Sequence, residues 1–427
     1  MAGRLRSKRL DRRQYFQQFL VLFTGTSVSQ VFNFLSYPLL TRVYSPADFG
    51  YFGIFIAVSA IPGAIACGRF ELAIVTAPHS GRRAMLWLCW SLALFVSLVA
   101  TLMVSLYWWC INMPDLGLLA PLLFTAIVLT GVTNATTVYL IRHDAFQVTS
   151  ASVVLRTATT VILQVSIALT WHSPIGLIIG FCFGLFVQAL LLVSSAKKHG
   201  IGKHHIGQMR AMFRRFRLQV SVDIPGSVLA ALTVNLIPFF LQFLYGTDAN
   251  GFYLLGQRIA ALPLQLFNDS ISQVYFQRAA RAKDERGEFW SDFRFTLFYS
   301  GLLSLGILAG LELLAKPVMV LYLGAKWEMA GKILVILAPM LAIRSVTMSL
   351  ATTVFLLQRP AWLLYHNIAS IVAISIAFVH AWTSDGGDLL SFLGLVALFQ
   401  GLEYAGFLFI LGIAARKELF LRNVPVL

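Results

Sequence analysis

Charged side chains inside apolar stretches are the residues of this chain that could do chemistry. Three of them are arginines: Arg156, Arg258 and Arg344. An ionisable group inside a membrane span costs about 2.5–3.5 kcal/mol on insertion scales, so it usually faces a cavity or a partner. Arginine stays charged, and its rigid fork of donors matches the oxygens of a phosphate group. The arginines therefore predict a site for an anionic cargo.

Three carboxylates in similar stretches leave a second interpretation open. They are Asp223, Asp269 and Glu403. Either aspartate could pair with Arg258, and the glutamate could pair with Arg344, because a buried charge needs a partner of opposite sign. In that case the arginines would be structural. The same carboxylates could instead take up a coupling proton.

Polar residues recur on one face of two predicted helices. A spacing of i, i+4, i+7 and i+11 places side chains on one side of a helix. In the first helix this face holds Thr26, Gln30, Asn33 and Tyr37. In the eighth helix, where Pro263 interrupts the pattern, it holds Arg258, Gln265 and Asp269. If the two faces share one space, that space is a polar cavity between the halves of the chain.

Signals for an enzyme or a metal site are missing. No glycine-rich phosphate loop of the GxxxxGK type occurs, so ATP hydrolysis is not expected. The predicted outer loops are too short for a catalytic domain. His204 and His205 have no acidic or thiol neighbours, and the four cysteines form no close pair. We therefore expect neither a cofactor nor a metal, and no enzymatic activity.

The elements that position these residues are membrane helices. The 427 residues are 58% hydrophobic and only 12% charged, and spanning a bilayer takes about 20 apolar residues per helix. The sequence predicts an all-α integral membrane protein with twelve transmembrane helices. Their predicted ranges are 15–40, 47–67, 83–110, 116–141, 146–171, 174–196, 218–245, 248–274, 289–315, 328–357, 361–382 and 387–414.

Basic residues gather on one side of these helices. The termini and the even-numbered loops hold 25 lysines and arginines, whereas the odd-numbered loops hold only Arg42, Lys316 and Lys326. Basic residues stay on the cytoplasmic side of a membrane, so both termini are expected in the cytoplasm. The net charge of +15 is thus a topology signal and does not indicate a nucleic-acid partner.

A repeat relates the two halves. Tyr44, Gly50 and Pro62 return 201 residues later, and residues 135–140 return in a similar form at 351–356. Duplication of a hydrophobic chain is typical of transporters with two similar lobes around a central site. The expected domains are an N-terminal six-helix lobe (1–196), a basic cytoplasmic linker (197–217) and a C-terminal six-helix lobe (218–427).

Two further patterns concern packing. In the linker, Met212 and Phe213 alternate with arginines, which fits a segment on the inner leaflet or a solvated connection. Glycines spaced by four allow helix backbones to approach closely. They predict packing faces in the sixth helix, at Gly176, Gly180 and Gly184, and in the ninth, at Gly306 and Gly310.

Two segments resemble a known family. Residues 40–52 (LTRVYSPADFGYF) are similar to the first outer loop of bacterial oligosaccharide flippases, and residues 68–75 (GRFELAIV) are similar to the stretch after their second helix. These flippases belong to the multidrug/oligosaccharidyl-lipid/polysaccharide exporter superfamily. The resemblance implies two six-helix lobes that move an oligosaccharide on undecaprenyl pyrophosphate to the outer leaflet, for O-antigen or capsule assembly.

The resemblance also implies a cellular location and partner molecules. The protein would lie in the bacterial inner membrane, among lipids and other polysaccharide-assembly proteins. It assigns no substrate residue, so the cargo site rests on Arg156, Arg258, Arg344, Gln30, Asn33 and Gln265. Two rival functions stay open: another secondary transporter, such as a drug or small-solute exporter, and a polysaccharide polymerase or ligase. The sugars of the cargo, a coupling ion, the oligomeric state and the resting conformation are not readable from the sequence.

Overall fold

The computed structural model describes residues 24–78, 81–110, 119–171, 173–200, 206–384 and 387–422. The N-terminal basic residues, positions 15–23 of the first predicted helix, and His204 and His205 lie outside the described residues. The described part is almost wholly helical and contains no strand. The prediction of an all-α fold is therefore confirmed.

Thirteen helices follow one another in the described chain. They are α1 (24–43), α2 (Pro46–Ala64), α3 (Phe70–Thr76), α4 (Arg82–Cys110), α5 (Ala120–Ile141), α6 (Phe146–Thr170), α7 (Ile175–Lys198), α8 (Ile206–Arg286), α9 (Trp290–Leu323), α10 (Glu328–Leu350), α11 (Thr353–Leu356), α12 (Ala361–Thr383) and α13 (Leu389–Arg422). Non-helical torsions divide α8 at Gly246 (φ 81°, ψ −171°). Its two segments, 206–245 and 247–286, therefore contain the seventh and eighth predicted helices.

Ten helices of the described chain are long and apolar enough to cross a membrane. Many of their large apolar side chains face outward: Leu321 is 90% exposed and Leu313 is 74% exposed. Such surfaces are stable in lipid and costly in water. The protein is a multi-pass membrane protein. Because α8 counts once among the ten and α1 is described only from residue 24, the number twelve stays a prediction.

The chain divides into two compact units. The first comprises Met1–Ser45 and Phe55–Ala231, and the second comprises Pro46–Ile54 and Leu232–Leu427. Two helices, α2 and α8, therefore pass from one unit into the other. The linker predicted at 197–217 is helical from Ile206 onward.

The glycine pattern of the sixth predicted helix is a packing face in the first unit. A Cβ added at Gly180 or Gly184 of α7 would collide with Gln164 or Thr160 of α6. The Gln164 amide also donates a 2.8 Å hydrogen bond to the carbonyl of Leu177. In α9, by contrast, a Cβ at Gly306 or Gly310 would meet no described atom within 4 Å. Among the described residues, the packing face predicted for the ninth helix is therefore not formed.

The first residues of α8 pack against other parts of the first unit. The ring of Phe213 lies 5.3 Å from that of Phe70 in α3, and the sulfur of Met212 lies beside Gly81. The neighbouring Arg214 is exposed. These apolar side chains therefore serve to dock α8 on the first unit, a role that the sequence did not predict.

The helices that carry the two copies of the repeated glycine, α2 and α8, cross within the second unit. A Cβ at Gly50 of α2 would overlap the carbonyl oxygen of Thr247, and a Cβ at Gly251 would overlap that of Pro46. Thr247 and Pro46 are also 201 residues apart, so each copy contacts the other in the same way. The amide of Asn250 adds a 2.9 Å hydrogen bond to the carbonyl of Gly50. Only glycine permits so close an approach of two backbones.

Candidate anion-binding site

A cavity of about 320 Å³ lies inside the second unit, between α8, α10 and α13. Residues Thr233, Val234 and Ile237 of the first α8 segment line one side of it. The other walls come from the second α8 segment, from residues spaced by four in α10, and from Gln400 and Tyr404 in α13. Of the predicted cargo residues, the cavity contains Arg258, Gln265 and Arg344.

The second α8 segment turns one face towards the cavity. Gln257, Arg258, Ala261, Gln265 and Asn268 line it. This face is centred near Ala261. Successive residues of an α-helix are rotated by about 100°, so position 269, eight residues later, points about 80° away from the centre of the face. Asp269, which the sequence placed on the same stripe, is exposed and does not line the cavity.

Arg344 enters from α10. Met340 and Met348 lie one turn before and after it on the same face. The phenols of Tyr253 and Tyr404 lie within electrostatic range of its guanidinium, and both tyrosine side chains are 4% exposed. The Arg344 side chain therefore lies among cavity-lining residues that carry phenol, amide and thioether groups.

The cavity is cationic. No aspartate or glutamate is among the described residues that line it. Neither Arg258 nor Arg344 forms a salt bridge with any residue that the structure describes. The Arg258 guanidinium instead lies 5.1 Å from the centre of the Phe52 ring, an arrangement that holds a cation without neutralising it. Two charges without counter-charges attract an anion.

The carboxylates have other surroundings. Glu403 accepts hydrogen bonds from Ser370 and contacts Nδ1 of His366, so the predicted pairing with Arg344 is not formed. Asp269 is exposed, and Asp223 is a half-buried residue of the first unit. The arrangement therefore does not support the interpretation that these arginines are held by carboxylates.

The remaining predicted cargo residues lie in the first unit. Arg156 of α6 donates to the side-chain oxygen of Gln188 in α7 (3.3 Å). Gln30 and Asn33 of α1 are half-buried, whereas their neighbour Phe32 is 40% exposed. None of these three polar residues lines the cavity of the second unit. Their role in a cargo path stays a proposal.

Comparison with known protein families shows which family the chain belongs to. The family described as "Polysaccharide biosynthesis protein" matches residues 39–332, more than two thirds of the chain. The chain belongs to the polysaccharide biosynthesis protein family. No curated protein matches its sequence.

Solved structures show the fold of this polysaccharide biosynthesis protein. An inward-facing multidrug resistance MATE family transporter of the MOP superfamily has a TM-score of 0.70 at 13% identity, over 91% of this chain and 95% of that one. The lipid II flippase MurJ, in an inward closed conformation, has a TM-score of 0.70 at 14% identity, over 92% and 87%. A MOP superfamily transporter from Pyrococcus furiosus has a TM-score of 0.62 at 13% identity, over 93% and 94%. The fold is that of MOP superfamily transporters.

Several residues of this family member's cavity were not singled out from sequence. Tyr253, Asn268, Gln400 and Tyr404 are uncharged, and polar uncharged residues are common in membrane helices. Spacing was the available signal in α13, because Gln400 and Tyr404 lie four residues apart and Tyr404 follows Glu403 directly. Among the described residues, no group of three or more His, Cys, Asp and Glu side chains is placed to hold a metal ion.

A second buried carboxyl, that of Glu71, lies in the first turn of α3, directly after a strained residue. Arg69 has a left-handed backbone (φ 62°), and its guanidinium lies 3.4 Å from Oε1 of Glu71, as a local pair. Oε2 of Glu71 is buried without a hydrogen-bond partner among the described residues. Burial raises the pKa of the Glu71 carboxyl above its ordinary value, and nearby Asp223 acts in the same direction. Arg69 opposes this shift without cancelling it.

Proposed function

We propose that this protein moves an undecaprenyl-pyrophosphate-linked oligosaccharide from the cytoplasmic to the periplasmic leaflet by alternating access. Its family membership and its transporter fold support the class of activity. The proposal of an anionic cargo rests on the cavity, whose described lining residues include Arg258 and Arg344 but no carboxylate. The proposal does not include an enzymatic step.

The chemistry of the cavity suits the head of such a lipid. Guanidinium forks bind pyrophosphate oxygens with charge-assisted hydrogen bonds. Side-chain amides can donate to and accept from sugar hydroxyls, and four of them line the cavity: Gln257, Gln265, Asn268 and Gln400. The isoprenoid chain would stay in the bilayer while the polar head crosses.

The same cavity argues against export of cationic drugs. A drug exporter is the closest rival, because a multidrug transporter shares the fold. A cationic drug would have to approach two uncompensated arginines, which repel it. A carboxylate in the cavity would have favoured this rival, and none is among the described lining residues.

The proposed place is the bacterial inner membrane, with both termini in the cytoplasm. The distribution of basic residues in the sequence supports this orientation. Other polysaccharide-assembly proteins would supply the cargo and consume it on the periplasmic side.

The first prediction tests the arginines. Replacing Arg258 or Arg344 by Ala should lower surface polysaccharide about tenfold or more, because each lost charged hydrogen bond is worth about 1.5–3 kcal/mol. Lysine should restore activity only partly, since it keeps the charge and loses the bidentate fork. The measurement is complementation of a strain that lacks its own flippase, with lipid-linked oligosaccharide quantified in parallel.

The matched control is Arg281→Ala, an exposed arginine later in α8. It should leave polysaccharide display unchanged. Membrane protein levels and detergent-solubilised yield are measured for every variant. Normal display with alanine at both Arg258 and Arg344 would refute the proposed cargo site.

A further inference from the structure

Two titratable side chains meet inside the second unit, next to the arginine cavity. Nδ1 of His366 in α12 lies 2.5 Å from Oε1 of Glu403 in α13, and the hydroxyl of Ser370 donates to Oε2 at 2.8 Å. His366 is 7% exposed and stacks on the ring of Phe407, with ring centres 4.5 Å apart. A buried pair of this kind can hold one proton in either of two places.

Few other charges face the pair. Tyr365 of α12 lines the same groove between α12 and α13, which measures about 350 Å³. Tyr404 of α13 lies within electrostatic range of both Glu403 and Arg344 of α10. No residue of α9 or α11 lines the groove. α8 meets α12 through uncharged groups: the hydroxyl of Thr233, which donates to a backbone carbonyl, and the rings of Phe240 and Phe243, which lie against that of Phe378.

We propose that His366 and Glu403 form a proton-binding site whose charge sets the anion affinity of the arginine cavity. Without the proton, the pair is a neutral imidazole beside a carboxylate, with a net charge of −1. With the proton, its net charge is zero wherever the proton lies. Tyr404 lines the cavity and adjoins Glu403 in sequence, so this change in charge acts close to Arg344.

The sign of the effect follows from electrostatics. A negative charge near Arg344 lowers the positive potential of the cavity and weakens anion binding, and protonation removes this charge. Linkage is reciprocal, so a bound anion must raise the proton affinity of the pair by the same factor. Proton and anionic cargo would therefore occupy the second unit together rather than compete. This inference rests on the proposed function, because it assumes that the cavity binds an anion.

The test measures binding to the full-length protein in lipid nanodiscs. The probe is P1,P2-dimethyl pyrophosphate, a diester whose own charge is constant over the range used. Calorimetry from about pH 5.5 to 8.5 covers the range in which imidazoles titrate. We expect affinity to fall about fivefold or more as the pH rises, at the lower end of typical coupling energies. In buffers of different ionisation enthalpy, binding should show proton uptake.

Variants separate titration from structure. Glu403→Gln removes the negative charge, so it should bind at high pH about as tightly as the unmodified protein binds at low pH. The double variant Glu403→Gln with His366→Gln has no titratable group in the pair and should bind equally at all pH values. His380→Gln, an exposed histidine of the same helix, should keep the full pH dependence. A merely structural pair predicts weaker binding at every pH and an unchanged profile.

The outcomes distinguish the two proposals. No binding of the probe at any pH, or binding that survives alanine at both Arg258 and Arg344, would refute the proposed cargo site. Binding that needs these arginines but is independent of pH, without proton uptake, would overturn the proton site alone. Proton uptake by the unmodified protein decides the matter even if a variant does not fold.

Discussion

Arg258 and Arg344 illustrate how a membrane protein retains an unfavourable residue. Each charge costs free energy inside a membrane protein unless a partner or water compensates it. A phenylalanine ring beside Arg258 and phenols near Arg344 give only part of that compensation. The remaining attraction is available to an anionic ligand, so the same property that lowers stability would favour binding of the proposed cargo.

Glu71 is the residue whose burial predicts a pH-dependent stability. Because its pKa is raised in the folded state, the folded protein holds this proton more tightly than the unfolded chain. The resulting stabilisation is fully present below the ordinary pKa of 4.5 and is lost as the pH rises through the folded-state pKa. The Glu71→Gln variant lacks this titration, so its stability should depend less on pH. Its melting temperature relative to that of the unmodified protein should therefore rise as the pH increases.

The measurement is thermal unfolding of detergent-solubilised protein over a pH series. Glu285→Gln is the control, since Glu285 is exposed near the end of α8. It should follow the unmodified protein at every pH. A difference between Glu71→Gln and the unmodified protein that stays constant with pH would contradict the buried-carboxyl explanation.

At the scale of elements, the crossing of α2 and α8 depends on two glycines. Gly50 and Gly251 each face the backbone carbonyl at the start of the opposite helix. A side chain at either position would push two backbones apart, and backbones cannot change rotamer to make room. Trp327 closes the same region, with its ring 5.3 Å from Phe49 and fully buried.

Gly50→Ala should therefore destabilise the protein by about 1–3 kcal/mol, the usual cost of overpacking. Gly301→Ala is the matched control within a helix, because a Cβ there meets no described atom within 4 Å. It should be neutral or stabilise by up to about 1 kcal/mol through helix propensity. Thermal unfolding in detergent compares the two. Equal effects of both substitutions would show that the crossing is looser than the contacts indicate.

At the scale of the whole molecule, α2 and α8 each contribute residues to both units. The break at Gly246 and the glycine crossing lie on the same helices. We expect the conformational change of the proposed transport cycle to involve these two features.

The orientation of the whole molecule is testable by reporter fusions. Fusions at Lys198 and Arg416 should report a cytoplasmic position, and a fusion at Asp385 should report a periplasmic one, because the basic residues stay inside. The pairing of an alkaline phosphatase reporter with a fluorescent one at each site provides the control. A periplasmic signal at Lys198 would exclude the model of two six-helix lobes.

The sequence by itself determined the helices and their class. Apolar stretches of about 20 residues can be stable only in lipid or in a large core, so their length and spacing define the helices before any packing is known. The predicted 146–171 and 361–382 lie within one residue of α6 and α12. The repeat is a property of the sequence too, although its reciprocal glycine contact is not.

Only the tertiary structure decided which polar residues meet. Asp269 and Asn268 are neighbours in sequence, and the rotation of one residue puts the amide in the cavity and the carboxylate outside it. Glu403 pairs with His366, 37 residues away, rather than with Arg344. Helix periodicity gives a face but not its orientation towards other helices, because packing sets the rotation of each helix about its axis.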